Sequence, residues 1–308
     1  MNWINSFEIL CYFIVFILVV DILKSKNYRE LGLLISGALA GFCLELLAVR
    51  FTDIYHYSND FFISIGFYPY QFPFFGGLMW GGISVCALRI ANKFSISNVM
   101  KALLSGWLIV SMDLLLDVVA IRLNGGFWVW DGRPITLAIN HHMFMSVIWI
   151  NFLGYMFEVP AIIFMTLKQW DKYLDKSDFS IAKSLLIGIC TVLFVALASG
   201  ISLVLDKITD EWFSCIAFLL IWIFIFIKLI SILISHHKSI TFKNKKDWSL
   251  FVFWFSIYAY CIAALFKLNI MSSNFLYAFF TFFIMIMTLV FYRFLCTERI
   301  QALAITYL

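Results

Sequence analysis

Apolar residues run along this chain in nine stretches of about 17–25 residues, separated by polar breaks. The spacing predicts helices over about 7–23, 31–49, 74–91, 99–121, 143–167, 182–204, 212–235, 248–266 and 274–295. The breaks are of two kinds. Segments 50–73 and 122–142 are long and aromatic, whereas 205–211 and 267–273 are short connectors. No internal repeat or low-complexity tract interrupts the pattern. The expectation is an all-α polytopic bundle, one membrane domain over 1–308. Helices one to five (about 1–168) would carry any site, and helices six to nine (about 181–296) would pack around them.

Composition agrees with that pattern. The chain is 63% hydrophobic and 13% charged, with 35 Phe, 11 Trp and 13 Tyr. A water-soluble domain of this length does not need so much apolar surface. Met1–Ser6 holds no Lys or Arg ahead of the first apolar run, so a cleaved signal peptide is not expected. The cysteines (Cys11, Cys43, Cys86, Cys190, Cys215, Cys261, Cys296) stand singly, without a CxxC pair. Neither a disulfide framework nor a cysteine zinc site is therefore expected.

The net charge is only +4, and its distribution says more than its sign. Of the 22 Lys and Arg, Lys228 falls within a span, and Arg50, Arg122, Arg133, Lys207 and Lys267 fall on one side. The remaining 16 fall on the other. The positive-inside rule then places the N-terminus outside and the C-terminus inside. A multi-pass protein of a bacterial or archaeal cytoplasmic membrane is the expected setting. No nucleic-acid partner is expected, and the charge pattern is silent on oligomeric state.

Polar residues at membrane depth are costly and need a reason. Glu45 lies about 7 Å below the outer end of helix two, at about 1.5 Å per residue. Asp117 falls at a similar depth on helix four, and Asp113 lies one turn deeper on the same face. Asn151, Tyr155 and Glu158 share one face of helix five at i, i+4 and i+7. Trp80 enters helix three from the same side, and Trp128 and Trp130 would roof the group. The outer half of helices two to five thus predicts a pocket.

Blander readings apply to each residue. Glu45 could pair with Arg50 or Arg122, and Arg122 could serve only to neutralise Asp117. Asp117 could be a helix-end residue in headgroup water, and the tryptophans could be interfacial belt residues. Asn151 and Tyr155 could be helix–helix hydrogen-bonding glue. Asp21 and Lys228 are isolated and read as structural. His141-His142 opens helix five, and without a second His or Cys group nearby no metal site is expected. His236-His237 belongs to a basic inside loop and reads as solvated.

Asp113 and Asp117 repel if both are charged, so one is expected to keep its proton near neutral pH. A carboxylic acid beside a carboxylate is a competent acid–base pair, and tryptophan faces stabilise cations. Such a site suits protonation of an isoprenoid double bond to a tertiary cation. Water would then give an alcohol, and a second double bond a ring.

The order Glu45, Tyr55-His-Tyr57, Trp80, Asp113-Leu-Leu-Leu-Asp117, Gly126-Phe-Trp128-Val-Trp130 and Trp149-Ile-Asn151-Phe-Leu-Gly154-Tyr155 resembles the integral-membrane carotenoid biosynthesis proteins. That family includes the carotenoid 1,2-hydratases of bacterioruberin and related pathways. The resemblance covers roughly residues 40–160. Val118 stands where the family has proline, and Tyr155 where it has tryptophan. The resemblance implies Asp113, Asp117 and Glu45 as catalytic residues. Trp80, Trp128, Trp130, Asn151, Tyr155, Tyr55, Tyr57 and Arg122 would bind an apolar substrate from the bilayer, with no cofactor and no metal. Two other classes compete. A magnesium-dependent intramembrane prenyltransferase also uses Asp-x-x-x-Asp, but normally with a second acidic cluster and basic residues for diphosphate. A transporter or lipid-binding protein would use the buried acids for proton or cation binding, and such proteins often show repeated halves.

Overall fold

Each apolar stretch folds as one helix because, in hydrocarbon, a helix satisfies its own backbone polar groups. The computed structural model describes residues 2–94, 96–171, 179–235, 240–242 and 247–296. Among these, nine helices are long and apolar enough to cross a membrane. They are α1 (Trp3–Ser25), α2 (Tyr28–Phe51), α3 (Phe74–Ala91), α4 (Asn98–Ala120), α5 (Trp149–Trp170), α6 (Ile181–Thr209), α7 (Trp212–Ser235), α8 (Trp248–Lys267) and α10 (Phe275–Arg293). The short α9 (Ile270–Ser273) lies between the last two. Lys172, Lys176, Lys238, Lys243, Lys245, Lys246, Arg299 and the His236-His237 pair lie outside the described residues.

Helix ends follow local chemistry. Asn2, Ser97, Ser180 and Asp247 each cap a helix by accepting a backbone N–H three residues on. One boundary departs from the sequence expectation. The apolar run at 143–148 reads as the start of helix five, yet it folds as a hairpin of β5 (Met143–Phe144) and β6 (Val147–Ile148). Met145 and Ser146 close it with φ of 48° and 72°. The Ser146 hydroxyl holds the turn, accepting from Thr136 N and donating to Thr136 O. His141-His142 therefore sits on a loop rather than opening a helix.

Strands also form in the aromatic loops, where the helical pattern predicts none. β1 (Tyr55–Tyr57) pairs antiparallel with β4 (Trp128–Trp130), matching Tyr55 to Trp130 and Tyr57 to Trp128. β2 (Ser64–Ile65) pairs with β3 (Phe72–Pro73); outside those loops, β7 (Ile240–Phe242) pairs with β8 (Phe294–Cys296).

α4 is the axis of the bundle, with 83% of its most apolar window buried. The corresponding figures for α6 and α7 are 22% and 17%, so these two present apolar faces to lipid. α2 packs on α3 and α6, and α5 on α4 and α6. At the end away from Asp117, Arg89 ties three helices together. It meets Glu30 Oε2 of α2 and Asp21 Oδ2 of α1, each at 2.6 Å, and donates to Ser249 Oγ of α8 at 2.7 Å. Asp21, which reads as isolated in the sequence, is one corner of this cluster. Lys228 lies with its ammonium 5.7 Å from the Phe224 ring centroid.

Candidate active site

The β1–β4 pair determines which side chains face the bundle. Alternation along β1 turns Tyr55 and Tyr57 to one face and His56 to the other, where it meets Asp131 at 3.0 Å. Both tyrosine hydroxyls donate to Glu45 Oε2, at 2.5 Å from Tyr55 and 2.8 Å from Tyr57. Glu45 is thus held from the loop and not by Arg50 or Arg122. Trp130 packs on Tyr55 and Trp128 on Tyr57, with ring centroids 4.9 and 5.9 Å apart. Gly126 makes the turn into β4 possible: its φ is +105°, and a Cβ there would lie 2.7 Å from Trp128 O.

Beneath this roof lies a chamber of about 100 Å³. Asp113, Asp117, Glu45, Trp80, Trp128 and Tyr155 contribute its polar and aromatic walls, and Met79, Ile109 and Leu116 its apolar ones. Asp113 and Asp117 are both buried. Spaced i and i+4, they share one face of α4 and one wall of the chamber. They differ in their partners. Asn151 Nδ2 donates to Asp117 Oδ2 at 2.7 Å, whereas Asp113 Oδ2 has no hydrogen-bond partner. Trp80 reaches the chamber because Gly41 has no side chain. A Cβ on Gly41 would fall 2.3 Å from the Trp80 ring. Tyr155 packs on the other side of that ring, at 4.7 Å between centroids.

A second cavity, of about 390 Å³, runs between α2, α5 and α6. Its walls are mostly aliphatic, from Leu44, Leu47, Val195, Ala196 and Leu203, with Trp130, Asn151 and Glu158 set among them. Glu45 and Tyr155 line both spaces. α6 is therefore a wall of this groove as well as a packing helix. Measured from the observed ends of α2 and α4, Glu45 and Asp113 lie about 9–11 Å deep and Asp117 about 4–5 Å. Asp117 is thus shallower than the sequence reading puts it.

The expected residues do not all converge. Glu45, Asp113, Asp117, Trp80, Trp128, Trp130, Asn151, Tyr155, Tyr55 and Tyr57 come together. Arg122 does not line either cavity. It donates to the carbonyls of Val118, Thr136 and Met145 at 2.6, 2.5 and 2.9 Å, so it binds loop backbone and not Asp117. Two further buried carboxylates stand outside the expected site residues: Glu158, which the sequence places on the Asn151–Tyr155 face without a role, and Glu8. Glu158 is buried, with Oε1 unpartnered, at the groove wall. Its place on the Asn151–Tyr155 face is the signal that could have marked it. Glu8 is buried in α1 and accepts the backbone N–H groups of Phe62 and Ile63 at 2.7 and 3.0 Å. It fastens the 52–73 loop over the chamber. Only its position inside an apolar run could have flagged it.

Among the described residues, nine membrane-length helices enclose buried acids and aromatic rings beside an aliphatic groove, the architecture of a multi-pass membrane protein. The sequence matches the carotenoid biosynthesis protein family over residues 5–224, and the chain belongs to that family. It is a membrane protein of carotenoid biosynthesis. The match extends well beyond residues 40–160, into α7. No curated protein and no solved structure matches the chain.

Proposed function

We propose that the protein protonates a terminal carbon–carbon double bond of an isoprenoid polyene, and that hydration or ring closure of the resulting cation follows. The observation that carries this reading is the Asp113–Asp117 pair, buried beside Trp80 and Trp128 where the chamber meets the groove at Glu45 and Tyr155. Asn151 donates to Asp117 and occupies its Oδ2. That leaves Asp113, whose Oδ2 has no partner, as the proton donor.

In the proposed step the Asp113 proton and the π electron pair form a new C–H bond. The neighbouring carbon becomes a tertiary cation facing the rings of Trp80 and Trp128, which stabilise positive charge by their quadrupoles. Glu45, fixed by two tyrosines, orients a water molecule. The water oxygen forms the C–O bond, and its surplus proton returns to the aspartate pair, for net addition of water. In the cyclising branch a second double bond supplies the electrons, and a C–H proton returns instead. The substrate reaches the chamber from the bilayer through the α2–α5–α6 groove. With the N-terminus outside, as the Lys and Arg distribution favours, that opening lies in the outer half of the membrane.

The described residues lining the two cavities include no Lys or Arg, and a diphosphate would need such partners. The prenyltransferase reading therefore has no observation in its favour. The test is expression in cells that make acyclic polyenes, followed by lipid extraction and mass spectrometry. A product heavier by one water, or an isomer with one ring, is expected from the wild type and not from Asp113→Asn. Identical extracts from both across several polyenes would overturn the reading.

A further inference from the structure

We propose that His141, His142 and Asp210 form a binding site for a divalent transition ion of the zinc class, outside the membrane-spanning helices. The sequence offers only two adjacent histidines there, but the fold adds the α6–α7 turn. One ring nitrogen of each histidine and one carboxylate oxygen of Asp210 lie within 4.8 Å of one another. Two imidazoles and a carboxylate are the donor set of three-ligand zinc sites, which leave the fourth position to water.

The geometry favours an ion over a simple ion pair. His141 Nε2 stands 3.5 Å from Asp210 Oδ2 and has no hydrogen-bond partner. Two ligand atoms about 2.1 Å from a tetrahedral ion lie about 3.4 Å apart, and the observed gap of 3.5 Å fits that spacing. The two imidazole rings are only 3.8 Å apart between centroids, which brings two nitrogen donors to one side of the cluster.

The surroundings orient the ligands. His141 lies flat on Trp212, with centroids 4.4 Å apart and planes at 2°. His142 Nδ1 meets Glu211 Oε2 at 3.1 Å. Glu211 is held in turn by Arg133. A carboxylate behind a ligating histidine is the usual means of setting its tautomer and orientation. The ion would join the loop ahead of α5 to the turn that ends α6, and both helices form walls of the groove.

The test uses purified full-length protein in detergent with any affinity tag removed, since tag histidines bind zinc themselves. The protein is equilibrated with zinc chloride, desalted, and analysed for metal by mass spectrometry. About one zinc per chain is expected in the wild type, with a higher denaturation temperature that a chelator reverses. Cobalt in place of zinc should give the visible absorption of a tetrahedral ion. His141→Gln, His142→Gln and Asp210→Asn should each weaken binding by more than about ten-fold. Asp210 has 80% of its side chain exposed, so its variant tests binding with the fold spared. Wild type that retains no more zinc than the His141→Gln/His142→Gln double variant would overturn the proposal. So would an Asp210→Asn variant that binds as tightly as the wild type.

Discussion

Asn151 in the first turn of α5 donates its amide N–H to Asp117 Oδ2 across the α4–α5 contact, at 2.7 Å. The bond separates two aspartates that the sequence presents as equivalent. Asn151→Ala removes a hydrogen bond to a charged group, an effect of about 1.5–3 kcal/mol. Because Asn151 also faces the groove, the lower end of that range is expected. Product yield should fall by roughly ten-fold or more, and thermal stability only slightly. Chromatography of lipid extracts beside a melting curve would separate the two effects. A large drop in melting temperature with normal yield would argue for a purely structural amide.

Asp113→Asn keeps the shape of the side chain and removes its acidity. Turnover is expected to fall by roughly 10²–10⁴-fold, the usual contribution of a positioned general acid. Asp113→Glu should recover part of it. Rates that stay within a factor of two for Asp113→Asn would move the proton donor elsewhere, with Glu158 the next acid to try.

Gly41→Ala places a methyl group against the Trp80 ring. The ring must shift, and with it the wall of the chamber. Loss of product with an intact chromatographic profile is expected. Activity of Gly41→Ala equal to that of the wild type would show that the contact is slack.

Arg89→Ala leaves Glu30 and its acidic neighbours without their cation. Arg89 and Glu30 side chains are only 11% and 12% exposed, so a cost of about 3–5 kcal/mol is expected. Arg89→Lys should recover little, because an ammonium cannot reproduce the forked contacts to Glu30. Denaturation of detergent-solubilised protein checks this, and a melting curve unchanged in Arg89→Ala would refute it.

Burial, and after it the Glu45 carboxyl, push the Tyr55 and Tyr57 hydroxyls well above the ordinary tyrosine range. Above about pH 10 the unfolded chain releases these protons while the folded chain retains them. Folding stability should therefore fall as pH rises through that range. The slope should be shallower in Tyr55→Phe/Tyr57→Phe, measured as melting temperature between roughly pH 9 and 11. Parallel slopes would mean that the two hydroxyls are not the groups responsible.

The site was legible in the sequence where one helix or one depth estimate sufficed. Asp113 and Asp117 share a face by spacing alone, and the depths of Glu45 and Asn151 bring them to the same level. The roof was legible in its two tryptophans but not in its strands. Tyr-His-Tyr and Trp-Val-Trp each alternate for only three residues, too short a run to mark a strand, and their pairing joins segments 73 residues apart. The start of α5 was missed for a similar reason. Residues 143–148 are as apolar as the helix that follows, and neither Met145 nor Ser146 is a usual left-handed residue. The link from the histidines to Asp210 needed the packing of α5 on α6, which no local pattern encodes.

Glu45 and Tyr155 stand where the long groove narrows into a recess of about 100 Å³. A polyene carries many trisubstituted double bonds, and protonation within a conjugated run gives the more delocalised cation. On the proposed chemistry, reactivity would not select the terminal bond, but length can. The recess admits only the last few carbons of a chain, so the molecule is gauged from its tip, and the bond that meets the acid is the one at the correct distance from that tip.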